Sequence, residues 1–256
     1  MGRALLLSIL PWILYAPAMA ASLLPRYSDS DLAVMETPVY LATHPDLRWR
    51  MRGLESLERG ESAEAIEHLL QAAQHADKAA QALLAELYWT GRVTKAERVE
   101  GHAFMALAAE RGYPRYAAFR DRYWDELGEA EQAAAVARHA QLLDTFGDAV
   151  AKPRMEAALQ SSHARRDGSR TRSRSFARPF NGGMPGTGIS AATGVDTRNW
   201  QDPKFWQPTE YWAWQDALYE RLRPPRVKLI ELRPFARTVL PTRGVLSETE
   251  PEPASE

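Results

Sequence analysis

The sequence predicts an all-α protein: a short stack of helical hairpins followed by an irregular, aromatic-rich C-terminal arm. Three observations carry that expectation. Two stretches match at an offset of 36 residues: Ala72-Ala73 with Ala108-Ala109, His75-Ala76 with Arg111-Gly112, and Leu87-Tyr88 with Tyr123-Trp124. Between Glu61 and Phe146 apolar residues recur at three-to-four spacing, the period of one helix face. Alanines fall where helices of such hairpins would cross, and a small side chain lets two axes approach closely.

The N-terminus comes first. Arg3 gives a small positive region, Ala4 to Ala16 is apolar apart from Ser8, and Ala18-Met19-Ala20 offers a cleavage site. Residues 1–20 are expected to be a cleaved secretory signal, too short to span a bilayer, with the mature chain starting at Ala21. The expected location is the periplasm or the exterior, with no transmembrane span in the mature chain.

Residues 21–46 read as a lead-in. Ser28 or Ser30 can cap a short helix through Leu32, Val34 and Met35, ended by Pro38. Pro45-Asp46 opens a helix with an apolar stripe of Leu47, Met51, Leu54 and Leu57, which Gly60 stops. The next helix carries Ala65, Ile66, Leu69, Leu70 and Ala73. Asp77 caps another, with Ala80, Leu83, Leu84, Leu87 and Tyr88, ending at Gly91. Glu97 to Arg111 repeats the earlier element, with Ala103, Phe104, Leu107 and Ala108 inward and Gly112 as terminator. Pro114 starts the following helix, where its missing N–H does no harm, and that helix runs to Leu127. A last long helix covers Glu129 to Phe146, with Ala133, Val136, Ala137, Ala140 and Leu143 on one side.

The segment Leu84-Ala-Glu-Leu-Tyr-Trp-Thr-Gly-Arg-Val-Thr, followed by Glu100-Gly-His-Ala-Phe-Met-Ala-Leu-Ala-Ala-Glu-Arg-Gly112, resembles a Sel1-like repeat. The motif's positions fall on Leu87, Tyr88, Gly91, Ala103, Ala108, Ala109 and Gly112. The first unit keeps Ala72 and Ala73 but has Ala76 where glycine is usual. The last keeps Tyr123 and Trp124 as aromatic filler. The resemblance covers about residues 47–146, in a repeat domain expected over 47–160. It implies a short right-handed, tetratricopeptide-like stack. It also implies an adaptor or scaffold binding a protein of the bacterial envelope, and it brings no catalytic residue.

After Phe146 the character changes. Lys152 to Leu159 allows one or two amphipathic turns. Residues 161–198 form a basic linker rich in Gly, Ser and Arg, with too little apolar content to fold alone. Residues 199–240 are the arm, in which Trp200, Phe205, Trp206, Tyr211, Trp212, Trp214 and Tyr219 crowd together. Thr209 and Glu210 read as a helix start, Pro224-Pro225 as its stop, and Arg226 to Leu232 as a short strand. Residues 241–256 are an acidic tail expected to be disordered.

The chain has 256 residues, formal charge -1 and no cysteine. That excludes disulfides, thiolate metal sites and cysteine nucleophiles, and argues against a surface built for nucleic acid. Trp200, Trp206, Tyr211, Trp212, Trp214 and Tyr219 are the partner-binding candidates, since such rings give rigid contact area. They would also stack on sugar rings, so a peptidoglycan- or glycan-binding module is the alternative. The competing reading is a clasp that folds back on the repeats. Arg165, Arg166, Arg170, Arg172 and Arg174, with Arg178, are anion-contact candidates against a plain solvated linker. Their arginine–serine spacing resembles an RNA-binding tail, but an exported protein meets little RNA. His44, His68, His75, His102, His139 and His163 form no metal pattern and read as surface residues. Glu86 and Glu110 read as flanking a groove rather than as an acid/base pair. Gly182, Gly183, Gly186 and Gly188 lack the lysine of a phosphate-cradling loop, and there is no serine nucleophile elbow. No cofactor, metal or catalytic residue is expected.

Overall fold

The computed structural model describes residues 23–91, 96–172 and 197–222; for 162–172 and 197–198 it describes the backbone alone. The signal segment, the Gly182–Gly188 stretch, Arg174, Arg178, the strand expected at 226–232 and the acidic tail lie outside the described residues. The described residues form helices, 3-10 turns and connections, with no strand among them.

The lead-in holds two helices. In α1 (Asp29–Met35) the Ser28 side chain accepts from the Asp31 N–H. Pro38 then opens α2 (Pro38–Thr43) in its first turn, with Thr37 as cap. Proline therefore separates two helices here instead of only ending one. The array follows: α3 (Pro45–Glu58), α4 (Ser62–Ala73), α5 (Lys78–Thr90), α6 (Arg98–Ala108, continued by a 3-10 turn Ala109–Arg111), α7 (Pro114–Asp125) and α8 (Glu129–Phe146). The sequence offset reappears as helix starts: 62 and 98 for α4 and α6, 78 and 114 for α5 and α7.

α3 packs most extensively along α4, and α5 along α6, so these are the hairpins. Ala72, Ala73, Ala108 and Ala109 are buried, as are Leu87, Ala103 and Tyr123. Tyr88 and Trp124 are half-buried. Two close approaches were not legible in the pattern. A Cβ on Gly101 of α6 would lie 2.9 Å from the Trp89 backbone nitrogen of α5, and one on Gly53 of α3 would lie 2.8 Å from the Leu69 side chain of α4. Gly60, Gly91 and Gly112 all have positive φ at helix ends. In the register of Gly112 (φ 74°) the earlier unit has Ala76, held at φ 60°. The chain thus keeps the left-handed turn there at the steric cost of a Cβ.

Two faces and one helix boundary differ from the expected ones. α3 buries Leu47, but also Arg50, Gly53 and Ser56, while Met51, Leu54 and Leu57 are only half-buried. A polar network and a close crossing, not a greasy stripe, set its rotation. In α8 the buried residues are Ala135, Leu142 and Phe146, and Val136 is 57% exposed. Alanine is so evenly spread on this helix that its periodicity points nowhere strongly. Beyond Phe146, one long helix, α9 (Asp148–Arg172), carries Pro153 inside it and runs into the stretch expected as linker. Ala151, Met155 and Leu159 form its buried face. Then come α10 (Thr197–Trp200), a 3-10 turn (Pro203–Phe205) and α11 (Pro208–Glu220). Pro208, not Thr209, takes the first-turn position of α11. Among the described residues no helix is long and apolar enough to cross a membrane.

Candidate functional site

The arm docks on the chain's own helices, and its rings are inside. Trp200, Trp206, Tyr211, Trp212 and Tyr219 are buried and Trp214 is half-buried. As open anchors for a partner these residues are therefore corrected: the clasp is the arrangement present. The physical reason is that the lead-in and α9 leave apolar surface too large to stay wet, and the arm covers both.

One half of the arm completes a cluster with the lead-in. Phe205 and Trp206 pack with Val34, Met35, Tyr40 and Leu47. The Trp206 indole donates to the Trp200 carbonyl at 2.7 Å, and Phe205 meets Tyr40 edge-on at 5.7 Å. Lys204 pairs with Asp31 at 2.9 Å, and the Asn199 amide donates to the Ser30 carbonyl. His44 joins the two segments. Its ring stacks on Tyr40 at 3.5 Å and 2°, and Nε2 lies 2.7 Å from the Phe205 carbonyl oxygen. Nδ1 is 2.9 Å from the Thr43 hydroxyl and from the Tyr40 carbonyl. A neutral ring that donates from Nε2 to Phe205 can accept from Thr43 at Nδ1, which leaves the Tyr40 carbonyl without a proton from this ring. Burial lowers its pKa to about 4, against the pull of the two carbonyls.

The other half lies over the array. Tyr211 and Trp212 pack with Ala76, Ala151, Met155 and Leu159. The Trp212 indole donates to Glu156 at 2.8 Å, and two cations, Arg111 and Lys152, each lie 4.7 Å from its ring centroid. The Tyr211 hydroxyl donates to Asp46, whose other oxygen is buried without a partner; burial raises the Asp46 pKa although this bond opposes the shift. Tyr219 sits against Tyr113 at 5.0 Å and Tyr116 at 5.8 Å, while the Arg50 guanidinium donates to its hydroxyl at 3.4 Å. Asp216 accepts from the Tyr113 hydroxyl and lies 3.5 Å from Arg111.

Beneath these rings two ionic knots tie the array. Arg50 donates to both Asp77 oxygens at 2.8 and 2.9 Å and to the Tyr27 hydroxyl at 3.0 Å. Burial works against its charge, yet Asp77 holds its pKa well above the usual arginine range. Asp77 also caps α5 through the Ala80 N–H. In the second knot, fully buried Lys78 contacts the Leu107 carbonyl at 2.9 Å, Glu110 at 2.8 Å and Asp148 at 2.9 Å. Arg111 grips Asp148 at 2.6 and 3.0 Å. Burial would raise Asp148, but Arg111 and Lys78 hold it low; burial dominates at Lys78 and lowers it. Glu110 further accepts from the first N–H of α9 at 3.1 Å.

The remaining candidates fall as follows. Glu86 is buried and accepts from the Tyr123 hydroxyl at 2.6 Å, so it braces α5 against α7 rather than flanking a groove. Glu110 is exposed on the 3-10 turn. His44 and His102 are buried, not surface residues; burial lowers the His102 pKa to about 4. His68, His75 and His139 are half-buried. His163 and Arg165, Arg166, Arg170 and Arg172 lie on the α9 backbone, with their side chains outside the description. No group of three or more His, Asp or Glu among the described residues is placed to hold a metal ion. Arg50, Lys78, Arg111 and Asp148 were missed by sequence reasoning, because isolated charges at unremarkable positions give no local signal of burial. A narrow cleft remains between arm and array, lined by Asp46, Arg50, Asp77, Arg111 and Gln215 among others, with room for about one water molecule. No family model matches this chain, and neither a curated protein nor a solved structure matches it.

Proposed function

We propose that the protein is an exported, non-catalytic adaptor of the bacterial envelope, built on a Sel1-like array, whose working surface is the face that holds α11. The observation that carries this reading is how α11 is seated. An amphipathic helix lies on the array through Tyr211, Trp212 and Tyr219, oriented by side-chain hydrogen bonds to Asp46, Glu156 and Arg50. Helix-in-groove recognition uses that combination of rings and directed polar contacts. The helix starts at 62 and 98, and at 78 and 114, support the repeat assignment. The ionisable groups beneath the arm hold elements together in pairs and networks, which favours a scaffold over a reaction centre. A glycan module would need coplanar exposed rings, and the arm's rings are turned inward.

Tagged full-length chain, expressed from its own signal, tests the proposal. The expectation is recovery in the envelope fraction and stoichiometric co-purification of one protein, repeated in the reciprocal capture. Recovery only in the cytoplasm, or no stoichiometric partner in either direction, would sink it.

A further inference from the structure

The narrow cleft between α11 and the array is lined by polar groups that the chain itself leaves unpaired. Asp46, on α3, is only 6% exposed. Its Oδ2 accepts from the Tyr211 hydroxyl, while its Oδ1 is buried with no hydrogen-bond partner among the described residues. A buried acceptor in that state is costly and uncommon. Gln215, on α11, is 7% exposed, and its amide bonds to no described residue. The Tyr219 hydroxyl accepts from Arg50 at 3.4 Å and has its own proton still to give. All three residues line the cleft, whose volume suits about one water molecule. The charged groups beside them are engaged elsewhere: Asp77 by Arg50, and Arg111 and Lys78 by Asp148.

Size and proton count together select the ligand. It must be no larger than a water, must donate to Asp46, and must accept from the arm. A metal cation or ammonium cannot accept, and Arg50, Lys78 and Arg111, which also line the cleft, would repel it. A halide cannot donate, and Asp46 and Asp77 would repel it in turn. Water does both. We propose that the cleft is a binding site for one structural water molecule, which donates to Asp46 Oδ1 and joins it to the Gln215 amide and the Tyr219 hydroxyl. A bridge of this kind is enthalpically close to a direct hydrogen bond. Asp46 thereby holds α11 twice, directly through Tyr211 and through the bridge four and eight residues further along the same helix. The inference stands apart from the adaptor reading, since it concerns how the arm is fastened whatever the protein binds.

A crystal structure of the full chain, at a resolution that shows ordered water, is the direct test. The expected result is a single peak within hydrogen-bonding distance of Asp46 Oδ1 and of the Gln215 or Tyr219 side chain. Two results would overturn the proposal. One is a Gln215 amide bonded directly to Asp46 with no peak between them. The other is a peak whose ligand distances are those of a metal ion. In solution, oxygen-17 relaxation dispersion counts the long-lived waters of the same chain. Gln215→Met keeps the length of the side chain but removes its amide, and should lower that count by one relative to the parent. Equal counts in parent and variant would speak against the site as firmly as an empty crystallographic position. The crystal readout needs no variant, so it decides the matter if Gln215→Met does not fold.

Discussion

Gly101→Ala tests the packing of the hairpin α5/α6 directly. Inside a helix, exchanging glycine for alanine should stabilise by about 1 kcal/mol. At Gly101 the new methyl would lie 2.9 Å from the Trp89 nitrogen, 3.0 Å from its Cα and 3.0 Å from the Ala85 carbonyl oxygen. Those atoms are backbone of the facing helix, so α5 and α6 must separate. Overpacking costs about 1–3 kcal/mol, and because only backbone can give way here the upper part of that range, about 2–3 kcal/mol, applies, which leaves a net loss of roughly 1–2 kcal/mol. Gly53→Ala is the matched control. Its methyl would meet Leu69 Cγ at 2.8 Å and Cδ2 at 2.9 Å, and a leucine side chain can rotate away. The control should therefore fall within about 1 kcal/mol of the parent. Thermal unfolding of the full chain, followed by far-ultraviolet circular dichroism, reads the difference. A loss of roughly 1–2 kcal/mol corresponds to about 2–8 °C for a chain of this size. A Gly101→Ala protein as stable as the parent would show that the helices do not approach as described.

The other expectations concern charge and turn geometry. His44 has a folded pKa of about 4, below its unfolded value of 6.5; its stabilisation is complete above pH 6.5 and is lost as pH falls toward 4, by roughly 3 kcal/mol in all. Asp46, raised by burial, acts in the opposite sense and is common to parent and variant. His44→Gln should thus flatten the fall in urea midpoint between pH 6.5 and 4, and an unchanged slope would refute the assignment. Asp77→Asn leaves the buried Arg50 charge uncompensated and should cost about 3–5 kcal/mol in urea unfolding, whereas Arg50→Met together with Asp77→Asn should recover most of it. Gly112→Ala, at φ 74° with open space around it, should cost about 1–2 kcal/mol from strain alone. Equal melting temperatures for parent and Gly112→Ala would refute that.

How much was legible follows the range of the interactions. The burial of Ala72, Ala73, Ala108 and Ala109, the caps at Ser28 and Asp77 and the terminators Gly60, Gly91 and Gly112 follow from local signals, and each was readable. The face of α8 was not, because alanine on every side gives no dominant direction. The face of α3 was misjudged because Arg50 and Ser56 look solvent-facing until their partners, 27 and 12 residues away, are known. The arm's rings were found as a set, and a clasp on the repeats was one of the readings they allowed, but the individual partners were not legible. The His44–Phe205 bond spans 161 residues and Asp46–Tyr211 spans 165, and no window of the sequence contains both ends. α9 was cut short by the weight given to the arginine-rich composition beyond Leu159.

The bridging arm also bears on how such a chain can change in length. Open solenoids grow or shrink by whole units because each unit touches only its neighbours. Here one segment grips the lead-in through Phe205 and the penultimate long helix through Trp212. Duplicating or deleting a single hairpin would move those two anchorages apart or together by a full unit while the segment between them kept its span. The number of repeats is thereby locked by its fastener, and fraying from either end must open both.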